Sequence, residues 1–173
     1  MEYYKANEND CLNISKKEIQ IFAEKAASSL GFIVGKSMKE FAEKQNIKVS
    51  YFSIENEVEN HSGFIKIDKA NKKIEIELSN FTTELRNNFT IAHEIAHLLI
   101  HSKHINHDLI CFDRHHSNRL EWEANWFAAA FLMPEKLFRQ KVKEFGGSLI
   151  NLSIYFNVSK IAIKIRKKDL NID

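Results

Sequence analysis

Residues Thr90–His101 read TIAHEIAHLLIH, and within them His93-Glu94-Ile95-Ala96-His97 has the spacing HExxH. On a helix, residues four apart stand one turn above each other, with Cβ atoms about 5–6 Å apart. Two imidazoles placed this way can aim at one ion, and zinc–nitrogen bonds are about 2.0–2.1 Å long. Glu94, beside the pair, is then a candidate general base for a metal-activated water. The chemistry offered is metal-assisted hydrolysis.

The flanking residues sharpen this reading. At about 100° per residue, Thr90, His93, Glu94, His97 and His101 share one narrow stripe. The rest of the circumference is Ile91, Ala92, Ile95, Ala96, Leu98, Leu99 and Ile100. A helix apolar on nearly every side is buried. Its polar stripe must therefore face a cleft, a metal or paired partners, because unpaired buried polar groups are costly. The alternative is a surface helix that happens to expose histidines. His101 lies roughly 12 Å along the axis from His93, too far to share its ion, with His97 between them. The metzincin pattern also fails, because Ile100 and Lys103 stand where it requires Gly and His.

The third ligand must come from elsewhere. The segment Glu121–Leu132, EWEANWFAAAFL, is a second informative helix opened by two acids. Glu121 and Glu123 stand about 200° apart, so at most one faces the ion. Asn125, four residues on, shares the side of Glu121 and is placed to orient a ligand by a hydrogen bond. A carboxylate from here would complete a His2Glu site with an open position for water. The alternative is that both acids merely complement the helix N-terminus. Trp122, Trp126, Phe127, Ala130 and Phe131 form the apolar surface, and Met133-Pro134 ends the helix.

RNNFTIAHEIAHLLIH, followed by ExxAN-x-FAA-x-x-LMP over Glu121–Pro134, closely resembles the ImmA/IrrE-type metallo-endopeptidases. The strong match runs from Arg86 to Pro134; outside it the likeness lies in the order of elements. The resemblance implies one zinc ion held by His93, His97 and Glu121, with Glu94 as catalytic acid/base. It favours Glu121 over Glu123 because the family's carboxylate stands three residues before the Ala. Phe131 departs from the pattern, which often carries a smaller aliphatic residue there. The resemblance further implies a protein substrate, a helix-turn-helix repressor of a phage, mobile element or stress regulon. The expected fold is α+β and zincin-like: a small, mainly antiparallel sheet, the HExxH helix and a helical C-terminal tail.

Several elements must position these groups. Ser15–Leu30 is a helix with a Ser15/Glu18 capping box, an Ile14/Ile19 staple and Gly31 as its stop. Ser37-Met38-Lys39-Glu40 opens a short helix to about Gln45. Lys48–Ile54 reads as a strand and Glu55–Asn60 as an acidic loop. Phe64–Asp68 and Lys73–Leu78 form a hairpin about Lys69–Lys72. Ile74, Ile76 and Leu78 alternate with Glu75 and Glu77, so this strand has one buried face. At a sheet edge beside the metal it would accept an extended peptide; otherwise it is only structural. Thr82 or Thr83 caps the HExxH helix, which runs to about His101. The stretch Ser102–Ser117 holds His104, His107, Asp108, His115 and His116 without ligand-like spacing and reads as a solvated loop.

Composition narrows the class. The chain has 173 residues, 44% of them hydrophobic, enough for a real core, with a net charge of only +2. That balance excludes a wholesale polyanion binder. Cys11 and Cys111 show no spacing motif, which favours a reducing cytoplasm over a disulfide framework. The N-terminus lacks a signal-peptide apolar core, and the longest apolar run is too short for a membrane span.

We expect residues 1–134 to form the metallopeptidase core and 135–173 a helical subdomain. In the latter, Pro134–Phe145, Ser148–Phe156 and Ser159–Lys168 are helices, the last two spaced like a helix-turn-helix. Lys160, Lys164, Arg166, Lys167 and Lys168 make the last helix basic, whereas Ile161, Ile163 and Ile165 point to inward packing. Direct DNA contact is therefore not favoured over substrate docking or plain packing. The expected function is site-specific peptide-bond hydrolysis, with a non-catalytic regulator that binds a repressor or DNA as the alternative. The group that steadies the oxyanion stays open among His101, His115, His116 and Tyr155.

Overall fold

The computed structural model describes residues 2–52, 63–113 and 118–172. Five strands form one sheet: β1 (Tyr4–Lys5), β2 (Ile47–Tyr51), β3 (Gly63–Asp68), β4 (Lys73–Leu78) and β5 (Leu109–Asp113). Their order is β1-β5-β3-β4-β2. The centre β5-β3-β4 is antiparallel, and the expected hairpin closes with Asp68 opposite Lys73. Both outer strands pair in parallel, so the sheet is mixed.

Alternation along the strands separates the two faces of the sheet. Ile65 lies opposite Ile76 and Phe112, and Val49 opposite Ile76, all on the buried face. The other face carries charge pairs: Lys66 Nζ reaches Glu77 at 2.7 Å and Lys48 Nζ reaches Glu75 at 2.6 Å. β4 lies between β3 and β2, hydrogen-bonded on both sides. The expectation that β4 could be an edge strand receiving a peptide is therefore corrected, because its backbone donors and acceptors are already used.

Among the described residues, seven α-helices complete the α+β fold: α1 (Lys16–Ser29), α2 (Met38–Lys44), α3 (Glu84–Ala96), α4 (Arg119–Leu132), α5 (Glu135–Glu144), α6 (Leu149–Phe156) and α7 (Lys160–Asp169). The caps follow the sequence signals. Ser15 and Glu18 form the reciprocal box of α1, Ser37 caps α2, and Thr83, not Thr82, caps α3. α3 packs on β3 and β4, and α4 packs against both α3 and α1. Helices α5–α7 contribute Phe138, Leu152, Phe156, Val158 and Ile163 to the same connected core.

Two buried polar side chains tie the layers together. Asn88 accepts from Met38 N at 3.0 Å and donates to Asn157 O at 2.9 Å. It thus joins α3 to the start of α2 and to the α6–α7 turn. Arg166 is fully buried, with Nε donating to Met133 O at 3.1 Å and Nη2 3.9 Å from Glu24. It belongs to the interior, not to the basic stripe in which the sequence pattern placed it. The inward reading of the α7 isoleucines is corrected as well. Ile163 is buried, but Ile161 and Ile165 are 70% and 55% exposed. Residues two apart on a helix lie about 200° apart, so the three cannot share one face. Trp122 is also largely exposed, at 47%, and lies outside the apolar surface expected of α4.

Gly35 holds the α1–α2 connection close against α6. Its φ is +83°, and a Cβ there would lie 2.4 Å from the Tyr155 carbonyl oxygen. Gly31, the stop of α1, has φ +72° but open space around it. Gly31→Ala should therefore cost roughly 1–2 kcal/mol, the penalty of the left-handed conformation alone. Gly35→Ala should cost about 3 kcal/mol or more, because a backbone clash is added. Denaturant melts of both variants check this, and equal losses would show that α6 does not seat on Gly35.

Candidate metal centre

α3 is buried from Asn87 to Ala96 apart from the partly covered Phe89. Thr83 accepts from Arg86 N at its start, and its apolar flanks fill the space between sheet and α4. Beyond Ala96 the helix widens into a π-turn over His97–His101 and tightens into a 3-10 turn over Ser102–His104. Such widened turns recur at functional sites. Ser102 Oγ donates to Leu98 O at 2.7 Å, satisfying one carbonyl of the widened turn.

His93, His97 and Glu121 converge, and all three are buried. His93 Nε2 and His97 Nε2 are 3.1 Å apart. Glu121 Oε2 lies 3.1 Å from His93 Nε2, and its Oε1 lies 3.3 Å from His97 Nε2. A tetrahedral ion with bonds of about 2.0–2.1 Å holds its ligand atoms about 3.3–3.4 Å apart. The two nitrogens, and each nitrogen with its nearer carboxylate oxygen, are thus separated by close to the spacing of ligands on one such ion.

The hydrogen bonds on the far side of each ring decide which nitrogen faces inward. Asn125 Oδ1 accepts from His93 Nδ1 at 2.9 Å, so the Nε2 lone pair of His93 points to the centre. His97 Nδ1 meets His101 Nδ1 at 3.0 Å, and His101 Nε2 meets Glu123 Oε2 at 3.2 Å. The Glu123 carboxylate accepts only, so His101 carries its proton on Nε2 and accepts on Nδ1. His97 then donates from Nδ1 and also turns a lone pair inward. The result is two imidazole lone pairs and a carboxylate oxygen facing one point, a donor set that fits a divalent cation.

The electrostatics agree. Burial pushes His97 down to about 3, against the opposing pull of Glu121, so its imidazole is neutral. Burial would raise Glu121, but the two imidazoles beside it outweigh that and hold it ionised, far below the usual carboxylate range. Neutral imidazole and ionised carboxylate are the forms that bind a metal. Phe112 of β5 stacks on the His97 ring at 4.5 Å and closes that side. Glu94 is fully buried next to His93. Asn125, whose amide oxygen meets His93, is exposed.

Glu121 joins the histidines, whereas Glu123 is placed on the opposite side of α4, as their 200° separation requires. There Glu123 accepts from Leu12 N at 2.8 Å, Asn13 N at 2.9 Å and Arg119 Nε at 2.9 Å. Among the oxyanion candidates, His101 uses both nitrogens on His97 and Glu123, on the side of His97 away from the centre. Tyr155 packs among Phe145, Phe156 and Lys141. His115 and His116 lie outside the described residues. His104, His107 and Asp108 are exposed, and among the described residues only His93, His97 and Glu121 form a ligand-like group. The sequence reading missed the His101–Glu123 pair, although both residues stood in view as the leftover members of the two motifs.

A solved Mycobacterium tuberculosis transcriptional regulator has a similar fold, with a TM-score of 0.59 and 18% identity. The match covers 84% of this chain and 45% of that one, so the chain spans less than half the length of that regulator. Comparison with curated proteins returns no match. Residues 42–168 match the Peptidase_M78 family, described as the IrrE N-terminal-like domain. With that match spanning most of the chain, from α2 through the two motif helices into α7, the protein belongs to the Peptidase_M78 family.

Proposed function

We propose that this protein is a zinc-dependent, site-specific endopeptidase that cleaves a helix-turn-helix repressor and so relieves repression. The observation that carries the reading is the buried convergence of His93 Nε2, His97 Nε2 and the Glu121 carboxylate, with each imidazole held by a partner on its far side. His93, His97 and Glu121 would hold the ion. A bound zinc ion supplies Lewis acidity, which polarises the scissile carbonyl and acidifies water. Glu94 takes one proton from the attacking water as its oxygen bonds to the carbonyl carbon. It then delivers that proton to the amide nitrogen as the C–N bond breaks. No covalent enzyme intermediate is needed. Asn125 keeps His93 in the required tautomer.

In this reading residues 1–134 carry the chemistry and residues 135–173 form a helix-turn-helix-like platform for the substrate. No helix among the described residues is long and apolar enough to cross a membrane. Among the described residues no disulfide joins Cys11 or Cys111, and we place the protein in the cytoplasm. One observation favours the second reading, a regulator that binds without cutting. Lys160, Lys164 and Lys168 lie exposed on α7 beside Ile161 and Ile165, a surface able to contact a repressor or DNA. The structural neighbour described as a transcriptional regulator is compatible with either reading.

Glu94→Gln separates the two. It should keep the bound metal yet slow cleavage by about 10²–10⁴-fold, the usual worth of a general base. Co-expression with a candidate helix-turn-helix repressor, followed by fragment mass spectrometry, reads the outcome; undiminished cutting would falsify the mechanism. Glu121→Ala should abolish stoichiometric zinc, and Asn125→Ala should weaken zinc binding about 10–100-fold. Both are measured by competition with a chromophoric chelator, and tight binding by Glu121→Ala would exclude this ligand set.

A further inference from the structure

Beyond the three candidate ligands, a buried polar chain runs from the N-terminal arm to the metal centre. Leu12 N and Asn13 N donate to the two oxygens of Glu123, and Arg119 Nε donates to Oε1. Arg119 Nη2 also donates to Ile14 O, fastening the arm to α4. Glu123 Oε2 accepts from His101 Nε2 at 3.2 Å, and His101 Nδ1 accepts from His97 Nδ1 at 3.0 Å. Glu123 and His101 are both completely buried. The arm lies before residue 42, outside the family match.

We infer that Glu123 and His101 are positioning residues of the metal centre, and that residues 12–14 hold them in place. The inference rests on the metal-site reading of His93, His97 and Glu121. Its physical basis is directional. A buried carboxylate that can only accept fixes the tautomer of His101, which fixes that of His97, so that Nε2 of His97 presents its lone pair. The carboxylate also draws the Nδ1 proton of His97 outward through His101, making Nε2 a stronger donor to a cation. Partners behind a metal-bound histidine act this way, and losing one commonly lowers metal affinity about 10–100-fold. The leftover acid of the second motif helix and the leftover histidine of the first thus have one joint task.

The test uses the full chain, with zinc titrated against a chelating dye and the melting temperature of the metal-free protein measured alongside. Glu123→Gln has one acceptor oxygen for four donors, and His101→Leu removes the link. Each should bind zinc about 10–100-fold more weakly than wild type. His101→Gln can both accept from His97 and donate to Glu123, so it should recover part of the loss. Nitrogen-15 NMR of the metal-free wild type should show His97 protonated on Nδ1, and His101→Leu should mix its tautomers. Variants that melt earlier but bind zinc within twofold of wild type overturn the positioning role and leave the metal site standing. A wild type that takes up no zinc overturns the metal site and this inference together.

Discussion

Two imidazole nitrogens and a carboxylate are held 3.1–3.3 Å from one another in the buried crossing of α3 and α4. Two neutral imidazole nitrogens and a carboxylate oxygen repel when nothing stands between them, and burial strengthens that repulsion. A fold that holds them together is organised to receive a positive charge. The layout of α3 and α4 follows from this constraint. The two helices must cross closely, and each must turn one polar stripe toward the other. All the remaining circumference must be apolar so that the crossing is held by packing. The run of small residues in α4, Ala124 and Ala128–Ala130, is buried and permits that close approach.

The same constraint explains the polar groups behind the centre. A neutral histidine has two tautomers, and only one leaves the inward nitrogen free. Asn125 settles the choice for His93, and His101 with Glu123 settles it for His97. Different devices serve the two rings because their surroundings differ. His93 meets Asn125, an exposed residue whose amide oxygen can reach it. His97 faces the interior beneath Phe112, where a carboxylate can be kept charged only by several donors at once. Glu123 obtains them from the arm backbone, Arg119 and His101, and is held at about 2 although its burial acts in the opposite direction. The widening of α3 over His97–His101 belongs to this arrangement, since it brings the two rings to 5.0 Å while α3 continues along the sheet.

The C-terminal helices obey a different rule. They share the apolar core, yet α6 and α7 leave Ile150, Ile154, Ile161 and Ile165 in solvent. Arg166 supplies the inner anchor that an isoleucine was expected to supply. Its stem packs like a hydrophobe while its head reaches the Met133 carbonyl at the α4–α5 joint. The basic, isoleucine-studded outer face of this tail is thereby separated from the forces that hold it on.

Much was legible from local pattern alone. The HExxH spacing, the capping residues Ser15 and Ser37, the hairpin about Lys69–Lys72 and the stop at Met133-Pro134 depend on neighbours in the chain. Helical and strand periods make such neighbours predictable. The angle between Glu121 and Glu123 also required that only one join the histidines. What tertiary structure alone decided are the relations across long separations. These are the parallel pairing of β2 with β4, which makes β4 an interior strand, and the meeting of Glu123 with residues 12 and 13, more than a hundred positions away. They also include the inward turn of Arg166 in place of Ile161 and Ile165. Periodicity tells which residues share a side of an element, but which side is covered depends on where the other elements come to rest.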